Sequence, residues 1–350
     1  MIQGIYLYGE NKMAANTLIL LGGMDWLEKS MQASGLVDVA SVYKSRNKLT
    51  KPLFKLQYHT KLLYRYRHVW YDDWKNKLNQ YRTVILFDAF EDTDIIEYIQ
   101  GRFSKIRIII YYYNPIYNSS LLNRIISAGV EVWSFDIRDC KEYGLMYNPQ
   151  FYFWNIVFPE KKSKDIKAKS IAYDLIFIGK DKGRMPLLMK LNKYLKERGI
   201  SLFIGICPDK ETRYSSECKQ FFIKSIPYNN YLDYLKRSRC VLDIVQEGQV
   251  GLTLRIMEAL FYNKKIITNN RSIQDMKIYD KNNVYILGID NRDLVEFIKD
   301  SKCEWDEELK KQYIFDKWLH RFFDIQYDIK GLLPSVFLSI VIQTSQLLMC

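Results

Sequence analysis

The chain has 350 residues and a mass of 41.8 kDa, more than one ordinary core holds and enough for two domains of roughly 150 residues each. Residues of the AVILMFWYC set make up 48% and charged residues 26%, which excludes intrinsic disorder, and 16 Gly with 8 Pro exclude a collagen-like or low-complexity chain. No segment repeats at a spacing of about 20–50 residues, which argues against a solenoid or propeller, and a net charge of +12 favours anionic partners: nucleic acid, acidic lipid headgroups or phosphorylated small molecules.

In chain order, the apolar run Thr17–Leu21 predicts a strand, followed by Gly22-Gly23 and a helical pattern from Met24 to Ala33. Val37–Tyr43 predicts the next strand, and Leu53 to about Tyr81 one or two helices. Arg82–Phe87 is a strand ending at Asp88, Asp92–Gln100 a helix, and Ile106–Tyr112 a strand ending at Asn114-Pro115. Leu121–Ala128 is helical, and Val130–Phe135 is a strand ending at Asp136. The Lys-rich stretch 159–172 carries no aromatic residue and reads as a linker.

The alternation then restarts. Predicted strands are Asp174–Ile178, Ser201–Cys207, Phe221–Ile226, Cys240–Val245, Lys265–Thr268 and Val284–Leu287. Predicted helices are Pro186–Arg198, Asn230–Arg237, Leu252–Tyr262, Arg292–Asp300 and Glu307–Phe322. Continuous apolar strands alternating with helices indicate parallel sheets covered on both faces. The expected fold is α/β, two Rossmann-like domains facing across a cleft: residues 1–158, a linker 159–172, residues 173–330, and an apolar tail 331–350. The tail carries no charge, and its polar residues Ser335, Ser339, Gln343 and Gln346 share one helix face, which suits an amphipathic helix on a domain or membrane surface better than a span.

The six cysteines include no C-x-x-C pair and there are three histidines, so no structural metal site is expected. Met1 to Tyr6 show no basic stretch before a long apolar core, so a cytoplasmic, reducing location is expected.

In open parallel sheets, ligands sit at the carboxyl ends of strands. Gly179-Lys180-Asp181-Lys182-Gly183-Arg184 follows a predicted strand and precedes a helix. Glycines let a backbone approach phosphate, and Lys180, Lys182 and Arg184 can neutralise a diphosphate. A solvated basic turn is the plain alternative. The segment is neither G-x-G-x-x-G nor a Walker A loop, which weakens dinucleotide and P-loop chemistry. Further on, Gly248, Gln249, Gly251, Thr253, Arg255 and Glu258 occupy a strand, a Gly-rich turn and a helix start. Thr253 near the helix start can hold an anion or cap the helix, Arg255 offers a planar fork to phosphate, and Glu258 can accept from vicinal ribose hydroxyls.

On these residues the second half resembles the donor domain of GT-B glycosyltransferases, particularly bacterial enzymes of capsule, lipopolysaccharide or exopolysaccharide assembly. The resemblance rests on F-I-G-K-D-K-G-R (Phe177 to Arg184), I-P-Y-x-x-Y-L-D-Y-L (Ile226 to Leu235) and G-Q-V-G-L-T-L-R-I-M-E-A-L (Gly248 to Leu260). Weaker likenesses lie in Tyr111 to Ile116 and Ser134 to Leu145, so that the whole covers roughly residues 80–322. It implies a nucleotide-sugar donor with Gly179 to Arg184 facing the diphosphate, the backbone near Ile226 and Tyr228 holding the base, Gln249 to Thr253 meeting phosphate or sugar, and Glu258 the ribose. Retaining members often carry two glutamates with seven residues between them. The position paired with Glu258 is Val250, which leaves the stereochemical outcome open.

The first half is then expected to bind a glycan or lipid-linked acceptor. The stretch Lys44 to His68 is basic, includes Arg65 and Arg67 and has no acidic residue. It suits anionic headgroups, a lipid diphosphate, nucleic acid, or a solvated helix face, with peripheral contact to the inner face of an anionic membrane as an expectation. Asp88 and Asp136, at predicted strand ends, are candidate bases for an inverting transfer, and Asn114 a candidate for orienting the sugar; each could instead cap the following helix. Glu10 is a further candidate base. No cofactor beyond the donor substrate, no metal and no nucleic acid are expected. Two rival readings stay open: a basic nucleic-acid-binding protein and a GT-B-like scaffold without catalysis.

Overall fold

The computed structural model of the chain describes residues 16–23, 25–59, 61–87, 93–117, 119–157 and 170–324, with the side chains of 58, 59, 61–65, 155 and 157 outside the description. Glu10, Asp88, residues 159–169 of the expected linker, the tail 331–350 and the Arg65 side chain therefore lie outside the described residues. The chain divides into two compact units: Met1–Pro149 with Leu319–Ile325, and Gln150–Trp318 with Gln326–Cys350. Each is a Rossmann-like α/β unit built on its own parallel sheet.

The first sheet comprises β1 (Thr17–Leu21), β2 (Asp38–Ser41), β3 (Thr83–Phe87), β4 (Arg107–Tyr112), β5 (Glu131–Ser134) and β6 (Met146–Tyr147), in the order β2-β1-β3-β4-β5-β6. Its described pairings are all parallel, with Ile19 opposite Val39 and Ile85, and Ile110 opposite Val132. β1 and β3 are buried along their whole length, which is why they read as unbroken apolar runs. Helices α1 (Asp25–Ser34), α2 (Thr50–His59), α3 (Asp94–Arg102), α4 (Ser119–Ser127) and α5 (Ile137–Tyr143) connect them. Each fully buried Leu or Ile of this core contributes on the order of 2 kcal/mol. The returning segment belongs here: Phe322 packs edge-on against Trp133, ring centroids 4.9 Å apart.

The second unit opens with α6 (Trp154–Val157). Its sheet has the order β11-β10-β9-β7-β8: β7 (Tyr173–Lys180), β8 (Leu202–Cys207), β9 (Ser238–Asp243), β10 (Lys265–Thr268) and β11 (Val284–Ile286). All its described pairings are parallel. Order reverses beside β7, the first strand, so the β7 and β9 carboxyl ends flank a topological switch point. The helices are α7 (Met185–Lys196), α8 (Tyr228–Lys236), α9 (Leu254–Phe261), α10 (Leu294–Lys299), α11 (Glu307–Gln312) and α12 (Phe315–His320).

Three expectations are corrected. Phe221–Ile226 is not a strand; a 3₁₀ turn, Ser216–Phe221, runs into one bridge between Phe222 and Ile206. Glu307–Phe322 is not one helix. It breaks between α11 and α12, where Tyr152 N–H donates to Tyr313 O at 2.7 Å and Phe315 N–H donates to Tyr152 O at 2.8 Å. Beyond α2, the stretch to Gln80 is 3₁₀ (Lys61–Trp70, Asp73–Asn76, Leu78–Gln80) rather than α-helix.

Candidate functional site

β7 carries the chain to Gly179 and Lys180 at the carboxyl edge of the second sheet, where Gly179 pairs with Ile206 and Lys180 with Cys207. The turn that follows is held in an unusual shape. Lys182 adopts φ +47° and Gly183 φ +78°, a left-handed pair that costs a non-glycine residue about 1 kcal/mol. Asp209 offsets this by accepting from Lys182 N–H at 2.7 Å. Buried Asp181 closes the turn, accepting from Met185 N–H at 2.7 Å and from the Tyr214 hydroxyl at 2.8 Å.

β9 delivers Asp243, which is fully buried. Its Oδ1 accepts from the Thr253 hydroxyl at 2.8 Å and its Oδ2 from the Thr268 hydroxyl at 3.2 Å. Thr253 caps α9 in turn, accepting from Ile256 N–H at 3.4 Å. The Thr253 hydroxyl is thus used within the fold, in the capping role.

Arg255, in the first turn of α9, lies across Gly179. A Cβ placed on Gly179 would collide with Arg255 Nη2. The guanidinium carbon sits 4.7 Å from the centre of the Phe177 ring, Nη1 is 3.7 Å from Asp243 Oδ1 and Nη2 donates to Ile178 O at 3.3 Å. Arg255 Nε is buried without a hydrogen-bond partner. These contacts orient the fork while leaving much of its donor capacity unspent, since a guanidinium has five N–H groups.

Lys180, Arg184 and Arg255 all act on Lys182 here. Desolvation by the surrounding protein, then the charges of Arg184, Lys180 and Arg255, hold the Lys182 ammonium below the usual lysine range, against the opposing pull of Asp209. Four cations on one sheet edge make a site that gains from an anion. Arg184 contributes charge, but its donors are committed: Nε donates to Ile244 O at 2.6 Å and Nη1 to Lys180 O at 3.1 Å, in a side chain that is buried. It braces the two strand ends rather than presenting a fork to phosphate. Gly248 takes φ +79°, and Gln249 N–H closes a turn on Gln246 O at 3.1 Å. Gln249 is half-buried, Gly251 is buried, and Ile226 packs on the core behind α8.

The ribose role implied for Glu258 does not fit. The side chain is buried at 2% exposure. One carboxylate oxygen accepts from the Tyr228 hydroxyl at 2.8 Å and the other from the Tyr231 hydroxyl. The Tyr228 hydroxyl also lies 2.7 Å from that of Tyr152. Burial pushes the Glu258 carboxyl up to about 7 against the downward pull of Tyr231, Tyr228 and Arg255. Glu258, which the resemblance assigns to the ribose, turns into this internal network, and so does the Tyr228 hydroxyl.

In the first unit, Asp136 is 1% exposed and caps α5, accepting from Arg138 N–H at 2.9 Å. Asn114 is exposed after β4. Sequence reasoning missed Asp139, whose carboxylate accepts from Ile116 N–H at 3.0 Å and which burial pushes up to about 6, with the Asp136 charge acting the same way. Its signal was present: a second acid three residues after Asp136. Arg67 lines a cavity of about 290 Å³ with His68, Tyr98 and Arg102. There the Arg102 guanidinium carbon lies 3.9 Å from the Tyr98 ring centre, and Arg67 Nη1 is 3.8 Å from Asp94 Oδ1. A cavity of about 720 Å³ opens beside β2, but Glu28, Asp38, Asp72 and Asp73 give it the wrong sign for a diphosphate. Among the described residues no group of three or more His, Cys, Asp or Glu side chains could hold a metal ion, and no helix is long and apolar enough to cross a membrane.

No protein-family model matches the chain, and no curated protein matches it. Among solved structures it is similar to an alpha-glucosyltransferase in complex with UDP and a 13-mer DNA containing a central A:G mismatch, at 13% identity and TM-score 0.48, covering 95% of this chain and 99% of that one. It is also similar to a pilus assembly-related protein from Burkholderia pseudomallei (15% identity, TM-score 0.22, 37% of this chain and 81% of that one). A third similarity is to the apo form of Rhodotorula graminis D-mandelate dehydrogenase (10%, TM-score 0.19, 88% and 91%). None of the three assigns an activity to this chain.

Proposed function

We propose that this chain is a glycosyltransferase that moves a sugar from a nucleotide-sugar bound by its second unit to a glycan or lipid-linked acceptor bound by its first, in bacterial surface polysaccharide synthesis. The observation that carries the reading is the placement of Arg255 over Gly179, with Lys180, Arg184 and Arg255 all acting on Lys182, at the carboxyl edge of the second sheet. A nucleoside diphosphate is the ligand class whose charge and size match such an edge.

In this reading Lys180, Lys182 and the Arg255 fork contact the diphosphate, the backbone at Gly179 and Gly251 allows close approach, Gln249 reaches the sugar, and the backbone near Ile226 and Tyr228 borders the base. The chain's own cations, rather than a required metal ion, take the charge that develops on the leaving diphosphate. Arg65 and Arg67 are assigned to the acceptor's anionic group and Asn114 to its sugar. The base that deprotonates the acceptor hydroxyl comes from the acidic strand ends of the first unit, Asp88 or Asp136, to which we add Asp139, close by in α5, whose carboxyl burial pushes up to about 6.

Thermal shift with UDP, GDP, CMP and dTDP tests the donor site, since a ligand that binds the native state alone raises the melting temperature. We expect one of them to stabilise the parent and to lose at least about tenfold in affinity on Arg255→Ala, one charge-assisted contact being worth roughly 1.5–3 kcal/mol. No shift with any nucleotide overturns the reading. Binding without nucleotide release from any sugar donor would make the chain a non-catalytic scaffold instead.

A further inference from the structure

Residues 44–71 contain eight Lys or Arg and no Asp or Glu. The structure shows how its helical part, α2, is placed. Asn47 starts α2 by accepting from Thr50 N–H at 2.8 Å and Leu49 N–H at 3.0 Å. The inner side of the helix is anchored by Phe54, which packs edge-on against Tyr43 at 5.2 Å and Trp70 at 5.5 Å between ring centroids. Gln57 Oε1 accepts from Trp70 Nε1 at 2.5 Å on the same side.

The outer side does not look like a solvated helix face. Leu49, Leu53 and Leu56 are 82%, 59% and 60% exposed, and the following 3₁₀ segment adds Tyr66 and Val69 at 59% and 54%. Of the large apolar side chains exposed among the described residues, these five form the one cluster close in sequence; the others are scattered from Tyr117 to Ile289. Scattered exposed apolar residues are ordinary, whereas clustered ones mark a contact surface. At about 100° per residue, Leu53 and Leu56 fall roughly 60° apart in projection on one flank of the helix, with Leu49 in the turn just before it. Lys51 and Lys55 fall together on the other flank, with Lys48 in the same preceding turn, and all three lysines are exposed.

We propose that this α2 surface docks the protein on an anionic lipid bilayer, with the leucine flank entering the headgroup–acyl boundary and the lysine flank meeting lipid phosphates. A leucine stripe bordered by lysines, in a stretch 44–71 that carries no carboxylate of its own, has the charge and apolar pattern of a helix lying in a membrane interface. A second copy of the chain is a poor occupant, because it would bring two sets of the same cations together. This surface is independent of the donor site.

Co-sedimentation of the full chain with vesicles tests this. We expect binding to phosphatidylcholine vesicles that contain phosphatidylglycerol, little to phosphatidylcholine alone, and weakening as salt screens the lysines. Replacing the leucines (Leu49→Ser, Leu53→Ser and Leu56→Ser together) should lower partitioning at least about tenfold, as should Lys48→Glu, Lys51→Glu and Lys55→Glu together. Both variants change exposed side chains, so melting temperature and its shift by nucleotide should match the parent. That control separates failure of this surface from failure of the donor site. Absence of binding to anionic vesicles overturns the proposal, and so does parent-like binding by the triple leucine variant, which would leave only non-inserting electrostatic attraction or another surface.

Discussion

Arg255 occupies the space that a side chain at position 179 would need. Residue 179 is glycine because the guanidinium of a residue 76 positions later lies over its backbone, with Nη2 donating to the neighbouring Ile178 O at 3.3 Å. The requirement is for room rather than for unusual dihedrals, since the left-handed glycine of this turn is Gly183. One contact thus joins the end of β7 to the start of α9 and places a cation at the switch point of the sheet.

Gly179→Ala tests that relationship. The added methyl meets the far end of a flexible side chain, so the fold can yield, and a cost near the low end of overpacking, about 1 kcal/mol, is expected in urea unfolding. Arg255 must swing aside, so affinity for the best nucleotide should fall by at least about tenfold, as for Arg255→Ala. Combining the two substitutions should add little further loss, because both act through the same guanidinium. Full additivity in calorimetric titration would show that Gly179 and Arg255 act independently.

Asp243 has no direct role in the proposed chemistry, yet it organises the residues that do. It accepts from Thr253 and Thr268 and faces Arg255 Nη1 at 3.7 Å. Asp243→Asn keeps the size and one acceptor but removes the charge from a fully buried position. Losing one partner of a buried pair costs about 3–5 kcal/mol; the partial exposure of Arg255 places the expectation near 2–3 kcal/mol in urea unfolding. A variant as stable as the parent would mean that the Thr253 cap and Arg255 are held by other contacts.

The strands were legible because each is a short, unbroken apolar run whose burial follows from composition alone, as in Thr83–Phe87. Phe221–Ile226 begins on a similar apolar run, Phe221 to Ile223, but its backbone meets β8 only at the Phe222–Ile206 bridge, where Ile223 N–H donates to Ile206 O at 2.9 Å. The Ile223 side chain lies over β8, since a Cβ on Gly205 would come within 2.7 Å of its Cδ1. The break between α11 and α12 was not legible, because it depends on backbone bonds to Tyr152, far upstream. The site divides in the same way. Gly179 and Arg255 could each be singled out from turn and charge, but the fate of Glu258 depends on tyrosines at 152, 228 and 231, whose convergence is a property of the packed fold.

That buried carboxyl makes stability depend on pH in a direction that can be stated beforehand. Its folded value of about 7 lies above the ordinary 4.5, because burial disfavours the charged form. Between those values the folded state binds more protons than the unfolded one, so this group's contribution to stability falls as pH rises through the window and is fully lost above about 7. The shift corresponds to about 3 kcal/mol. Glu258→Gln stays neutral throughout, so the stability difference, variant minus parent, should move in favour of the variant by about 2–3 kcal/mol between pH 5 and pH 8. Asp139, raised to about 6, acts in the same sense in both proteins and leaves a residual slope that cancels in the difference. Urea unfolding at a series of pH values reads this directly. Parallel curves for the two proteins would mean that Glu258 titrates near its ordinary value, with water reaching the carboxylate past Tyr228 and Tyr231, and would reopen its access to a bound ribose.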